Sequence, residues 1–121
     1  MRCRGIRGAT TVNQNSRESI LQGTSELLDK IIEANRIEVD EVACVFFTTT
    51  TDLDAEFPAL AARRMGWTKT ALICGHEMDV PGSLARCIRI LILYNTEKSA
   101  DEIEHIYING AENLRNSTPS S

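Results

Sequence analysis

Apolar positions along this chain follow two rhythms, one of strands and one of helices. Cys87-Ile88-Arg89-Ile90-Leu91-Ile92-Leu93-Tyr94 is the most apolar run, aliphatic and β-branched, and reads as a buried strand. Val42 to Thr49, Ala71 to Met78 and Glu104 to Asn109 predict further strands. Arg2 to Gly8 predicts the first, with Gly5 and Gly8 permitting close approach of backbone or ligand. Ile20, Leu21, Leu27, Leu28, Ile31 and Ile32 recur at helical spacing and make one apolar face. Asn15, with Glu18 three residues on, is the expected cap of that helix in a capping box, and Asn35 its expected stop. A polar turn, Glu38-Val39-Asp40-Glu41, leads into the second strand, and Thr50 to Glu56 reads as a loop. Pro58 and Gly66 bracket a short helix carrying Ala59, Leu60, Ala61, Ala62, Arg63, Arg64 and Met65. Pro81-Gly82 marks a turn before the apolar strand, and Asn95 to Asp101 is a connection with room for one helical turn.

The order β-α-β-α-β-β-β predicts an α+β domain, a mixed β-sheet with helices packed on one face. Alternation in the apolar strand puts Ile88, Ile90, Ile92 and Tyr94 on one side and Cys87, Arg89, Leu91 and Leu93 on the other. Helices cover only one of these faces, so the second implies a partner surface and a homo-oligomer. Residues 1–115 read as one domain. Residues 116–121, ending in Thr118-Pro119-Ser120-Ser121, read as a mobile, flexible C-terminal tail.

The length of 121 residues fits that single domain with a modest core. A net charge of −4, with no basic face or arm, argues against a nucleic-acid partner. No apolar run is long enough to span a bilayer and no signal-peptide pattern opens the chain, so no membrane partner is expected and the reading is cytoplasmic. Cys3, Cys44, Cys74 and Cys87 are scattered without CxxC spacing, which predicts reduced thiols and no metal site.

Arg89 is the residue that demands an explanation. A guanidinium cannot lose its proton in an apolar strand, so it needs an anion or several acceptors. Arg7, between Gly5-Ile6 and Gly8-Ala9, repeats the pattern. Ten of the thirteen cationic residues are Arg, whose planar fork suits carboxylates better than the point charge of Lys. Two strand-embedded arginines suggest a local site for an anionic small molecule. A structural ion pair accounts equally well for Arg89, and a strand-end surface charge for Arg7. Glu77 is a candidate acceptor or a solvated edge charge, and Tyr107 a rim residue or a donor to a ligand. Cys74, His76 and His105 lack metal-ligand spacing. Thr48-Thr49-Thr50-Thr51 reads as strand end and loop capping. Neither a nucleophile motif nor a phosphate-cradling glycine loop is present.

In combination, five segments carry a more specific signal. Arg4-Gly5-Ile6-Arg7-Gly8-Ala9-Thr10-Thr11-Val12, Asp52-Leu53-Asp54-Ala55-Glu56-Phe57-Pro58-Ala59, Glu77-Met78-Asp79-Val80-Pro81-Gly82-Ser83-Leu84, Cys87-Ile88-Arg89 and His105-Ile106-Tyr107 occur in order and in register. With them the chain, from about Arg2 to Arg115, resembles the monofunctional AroH-type chorismate mutases.

The resemblance implies conversion of chorismate to prephenate by an intramolecular Claisen rearrangement, on the route to phenylalanine and tyrosine. It implies no cofactor and no covalent or acid–base step; the enzyme selects a compact conformer and stabilises charge as the ether bond breaks. By position, it implies that Arg89 donates to the ether oxygen and a carboxylate, while Arg7 and Tyr107 hold a carboxylate. Glu77 and Cys74 would contact the ring hydroxyl, with Glu77 facing the positive charge that builds on the ring. Phe57, Ala59 and Arg63 would come from a neighbouring subunit, and Leu114 and Arg115 would fold over the pocket. The implied assembly is a homotrimer with a pseudo-α/β-barrel core and active sites at subunit interfaces. Leu60 stands where several relatives carry a charged residue. Two other readings use the same arginines: a non-catalytic trimer that binds a carboxylate metabolite or a partner protein, and an imine-hydrolysing trimer of the Rid type.

Overall fold

A computed structural model describes residues 1–114. The strands are β1 (Arg2–Thr11), β2 (Val42–Thr49), β3 (Ala71–His76), β4 (Cys87–Thr96) and β5 (Ile106–Tyr107), and the helices are α1 (Arg17–Asn35) and α2 (Ala59–Arg64). They form one mixed sheet in the order β3-β2-β4-β1-β5. The apolar strand β4 lies at its centre, antiparallel to β1 and β2, while β3 runs parallel to β2 and β5 parallel to β1. The α+β arrangement is thus the expected one. No helix among the described residues is long and apolar enough to cross a membrane.

Both helices pack on one sheet face. Ile20, Leu21, Leu27, Leu28 and Ile31 of α1 are buried as the helical spacing requires, whereas Ile32 is only partly buried at the edge of the core. Opposite them lie Ile6, Val45, Phe47, Ile90, Ile92 and Tyr94. An irregularity in the β2–β4 register between Val42 and Cys44 lets both Val42 and Val45 face this core despite their odd spacing. The helix comes close because β1 offers Gly8. A Cβ there would stand 2.6 Å from Ile31 Cδ1, 3.1 Å from Leu27 Cδ1 and 3.2 Å from the Ile106 carbonyl.

Among the described residues the other face is covered only at one end, where Ala111 and Leu114 pack near Ala9, Cys87 and Tyr107. Register aligns Arg7, Leu91, Phe46 and Ile73 in one cross-strand row and Tyr107, Ala9, Arg89, Thr48 and Gly75 in the next. Phe46 is 40% exposed and Ile73 59%, values that leave a broad apolar surface in water.

Several boundaries differ from expectation. The α1 cap is Ser16, whose side chain accepts from the Ser19 N–H, and Glu18 only adds a favourable charge to the first turn. Asn15 is engaged elsewhere: its amide oxygen accepts from the Asp54 and Ala55 N–H groups and its amide donates to the Asp54 carboxylate, pinning the loop after β2. Asn35 is the last helical residue, and Arg36 takes the left-handed cap position with φ 52°. Buried Asn35 donates to the Glu104 carbonyl and accepts from the Glu104 N–H. β5 is shorter than Glu104 to Asn109 for this reason and because the Arg7 N–H goes to His105 Nδ1 rather than to a strand carbonyl. β3 ends at His76, since β2 turns away after Thr49 and Thr50 pairs with Cys87 instead. The expected helical turn in the last connection is a short 3-10 turn at Ala100–Glu102. Of the last described residues, Ala111 is fully buried and Leu114 packs near the Ala9, Cys87 and Tyr107 cluster. The expected tail, 116–121, lies outside the described residues.

Gly8→Ala should destabilise the protein by about 1–3 kcal/mol, because an added methyl overpacks the α1 contact. The urea midpoint would fall with an unchanged m-value; an unchanged midpoint would show that α1 does not bear on Gly8.

Candidate active site

Arg89 is the third residue of β4, flanked by Ala9 of β1 and Thr48 of β2. Ala9 is buried in a cluster with Cys87 and Ala111, and Tyr107 stands beyond it on β5. Glu77 follows the last residue of β3 and keeps one strand-like bond, its N–H donating to the Thr49 carbonyl at 2.7 Å. Arg7 is opposite Leu91 in the neighbouring row. Together, Arg7, Phe46, Thr48, Glu77, Arg89 and Tyr107 line a cleft of about 340 Å³ on the open face of the sheet.

The charges in this cleft are matched only in part. Arg89 Nε is 3.8 Å from Glu77 Oε1, with both side chains 29% exposed. That is an ion pair, as the structural account of Arg89 anticipated, but a charge-assisted hydrogen bond closes to roughly 2.7–2.9 Å. The second Glu77 oxygen, Oε2, accepts from the Thr48 hydroxyl. Arg89 Nε is buried and has no hydrogen-bond partner among the described residues. A buried, unpaired N–H of a permanent cation is costly and uncommon, and it marks a place where an acceptor is missing.

The thiol below supports the same charge balance. Burial pushes the Cys87 thiol up to about 11, against the opposing pull of Arg89. It remains a neutral SH, adding no second anion beside the guanidinium. The approach to β4 is fixed by side chain–backbone bonds. The Cys87 N–H donates to Thr50 Oγ1 at 3.0 Å and the Arg86 N–H to Asp52 Oδ2 at 2.9 Å. The Thr50 hydroxyl, with the Arg86 N–H, holds the Asp52 carboxyl below its ordinary range.

The remaining candidates gather elsewhere. Phe57 and Cys74 line a second hollow of about 390 Å³, with Leu53, Pro58 and His76. Phe57 is 67% exposed, a large apolar ring held at the rim. Ala59 is buried in the core at the start of α2, and Arg63 is exposed on the same helix. Leu60 between them is partly buried. Burial raises the Cys74 thiol pKa, opposed by a backbone hydrogen bond from Ala59 and the charge of Arg63. Cys74 therefore packs toward α2, on the side of the sheet away from Glu77. Leu114 packs near Tyr107, while Arg115 lies outside the described residues. The imagined cluster of Cys74, His76 and His105 is split across the sheet, with His76 Nε2 at 3.2 Å from the Leu53 carbonyl and His105 at the Arg7 backbone.

Thr48 is the site residue that sequence reasoning missed. Strand parity with Phe46 was a usable signal for its face, but its place beside Arg89 depends on which strands pair.

In the folded protein at pH 8, Cys87 should react with iodoacetamide roughly a hundredfold or more slowly than exposed Cys3, following its raised pKa and burial. Peptide mass spectrometry before and after denaturation checks this; equal rates in the native state would contradict the placement of Cys87.

The sequence model described as Chorismate mutase type I matches residues 3–118. The chain is 49% identical over 113 residues to Chorismate mutase AroH of Thermus thermophilus, covering 93% of each. It is 44% identical over 116 residues to Chorismate mutase AroH of Bacillus subtilis (strain 168), covering 95% of this chain and 91% of that relative. The solved structure of chorismate mutase from Clostridium thermocellum Cth-682 superposes with a TM-score of 0.89 at 51% identity, over 90% of this chain and 97% of that one. With the segments around Arg7, Glu77, Arg89 and Tyr107 inside the matched span, this chain belongs to the type I chorismate mutase family.

Proposed function

We propose that the protein is a chorismate mutase, an isomerase that rearranges chorismate to prephenate in the cleft on the open face of its sheet. The observation that carries this reading is the buried, unpaired Nε of Arg89. In the reaction an ether C–O bond breaks as a C–C bond forms across the same molecule, and no proton, cofactor or nucleophile is required. What the protein must supply is a folded conformer of a dianion and donors for the ether oxygen as it gains negative charge. Arg89 is the donor to that oxygen and to a carboxylate. Arg7 and Tyr107 hold a carboxylate, and Glu77 faces the positive charge that builds on the ring and its hydroxyl.

One subunit supplies only the charged half of such a site. Phe57 and Cys74 line a different hollow, with Ala59 and Arg63 on the adjoining α2, so this region completes the pocket from a neighbouring subunit of a homotrimer, which also covers the apolar open face. Cys74 then reaches the substrate with Phe57 rather than beside the Glu77 of its own chain. Leu114, packed near Tyr107, closes the cleft from that side, a role that the resemblance gives to Arg115 as well. Four free thiols suit a reducing cytoplasm.

Loss of chorismate absorbance with prephenate formed should be rapid with the purified protein. Arg89→Lys should lower kcat by about a hundredfold or more, because an ammonium lacks the two-pronged fork. Near-normal turnover in that variant would remove Arg89 from the reaction. Separately inactive Arg89→Ala and Arg63→Ala proteins, unfolded and refolded as a mixture, should regain activity, because some sites then combine an intact cleft with an intact α2. A mixture that stays inactive would mean that both residues act within one subunit.

A further inference from the structure

We propose that Thr48 is a positioning residue for the rearrangement, its hydroxyl holding Glu77 off Arg89 so that the guanidinium stays open to substrate. The inference rests on the assignment of the cleft to chorismate made above. Consecutive residues of β2 grip Glu77 at both ends. The Thr49 carbonyl accepts its N–H at 2.7 Å, and Thr48 Oγ1 donates to Oε2 of its carboxylate. Thr48 is also the direct β2 neighbour of Arg89, so the donor to Glu77 and the guanidinium rise from paired positions on the same sheet face.

The consequence is visible in the distances. Oε1 remains 3.8 Å from Arg89 Nε, and that Nε has no partner among the described residues. A carboxylate free to rotate beside an unpaired guanidinium would close into a direct, bidentate pair. A closed pair would compete with the substrate for the same N–H groups and would turn the glutamate away from the ring. The Thr48 hydroxyl opposes this by satisfying one oxygen in a fixed direction, the kind of support that holds a charged site in its working geometry.

The test is a double-mutant cycle on the full chain. Thr48→Val keeps the branched shape but lacks the donor, and Thr48→Ser restores it. Thr48→Val should lose roughly tenfold or more in kcat/KM, mostly in kcat, with Thr48→Ser near the parent. In a Glu77→Gln background, where no carboxylate is available to pair with Arg89, Thr48→Val should add little further loss. The same four proteins are titrated with a non-reactive cyclic dicarboxylate analogue of chorismate, so that a slow background remains measurable. Weaker binding in Thr48→Val alone, relieved by Glu77→Gln, is the expected result. Parent-like turnover in Thr48→Val, or an equal loss in both backgrounds, would overturn the positioning role while leaving the cleft assignment intact. Unimpaired turnover in Arg89→Ala would overturn both.

Discussion

A guanidinium half-buried at the centre of a sheet constrains everything placed around it. Arg89 cannot be neutralised by losing its proton, so the fold has to manage a fixed charge. It does so without saturating it. Ala9 on one flank offers no side-chain acceptor, and Thr48 on the other directs its hydroxyl to Glu77. Glu77 is near enough to offset part of the charge and too far to close a hydrogen bond. Cys87, two residues back on the same face, stays protonated through burial. The result is a cation with an unmet N–H, a local energetic defect that a bound anion would relieve.

That defect is tolerated because the opposite face of the same strands carries the stability. Ile90 and Ile92 flank Arg89 and Leu91 in sequence but point into the core under α1. Adjacent residues of β1 divide the same labour. Gly8 lets Leu27 and Ile31 press onto the sheet, while Arg7 before it lines the cleft. Any side chain at Gly8 would press into the helix. The period of two along a strand thus separates packing from binding at single-residue resolution.

Much of this was legible in the sequence. Alternation gave the limits of β2 and the two faces of β4, and the strand-embedded arginines pointed to an anion site before any pairing was known. The resemblance supplied the reaction class, which no periodicity contains. What escaped was set by side chains bonding to distant backbone. Asn15 looked like a helix cap because its local sequence allowed it, yet Asp54 and Ala55 claim its amide. β5 looked six residues long, but the side chains of Asn35 and His105 take over the backbone bonds just before it. The resemblance joined Cys74 and Glu77 at one hydroxyl, and within one chain they lie on opposite faces of the sheet. Thr48 was absorbed into a run of threonines whose members in fact differ. Thr48 faces the cleft, Thr49 is buried toward the Leu53 carbonyl, and Thr50 fixes the start of β4.

The proposed division of the site between subunits follows from electrostatics as well as from placement. The chain carries a net charge of −4, so a dianion gains nothing from the protein's overall field and must be attracted by charges close at hand. Such charges act weakly in an open cleft, where water screens them, and strongly once water is excluded. A sheet face cannot exclude water by itself without burying Arg89 beyond recovery in the empty state. The proposed wall from a second subunit would resolve the conflict. An exposed aromatic such as Phe57 would dry the far side of the pocket, while the guanidinium would keep access from the cleft side when no substrate is bound. On this argument the apolar open face and the incomplete charge pairing are one feature. The surface that needs a neighbour for stability is the same surface whose cation needs a neighbour to act.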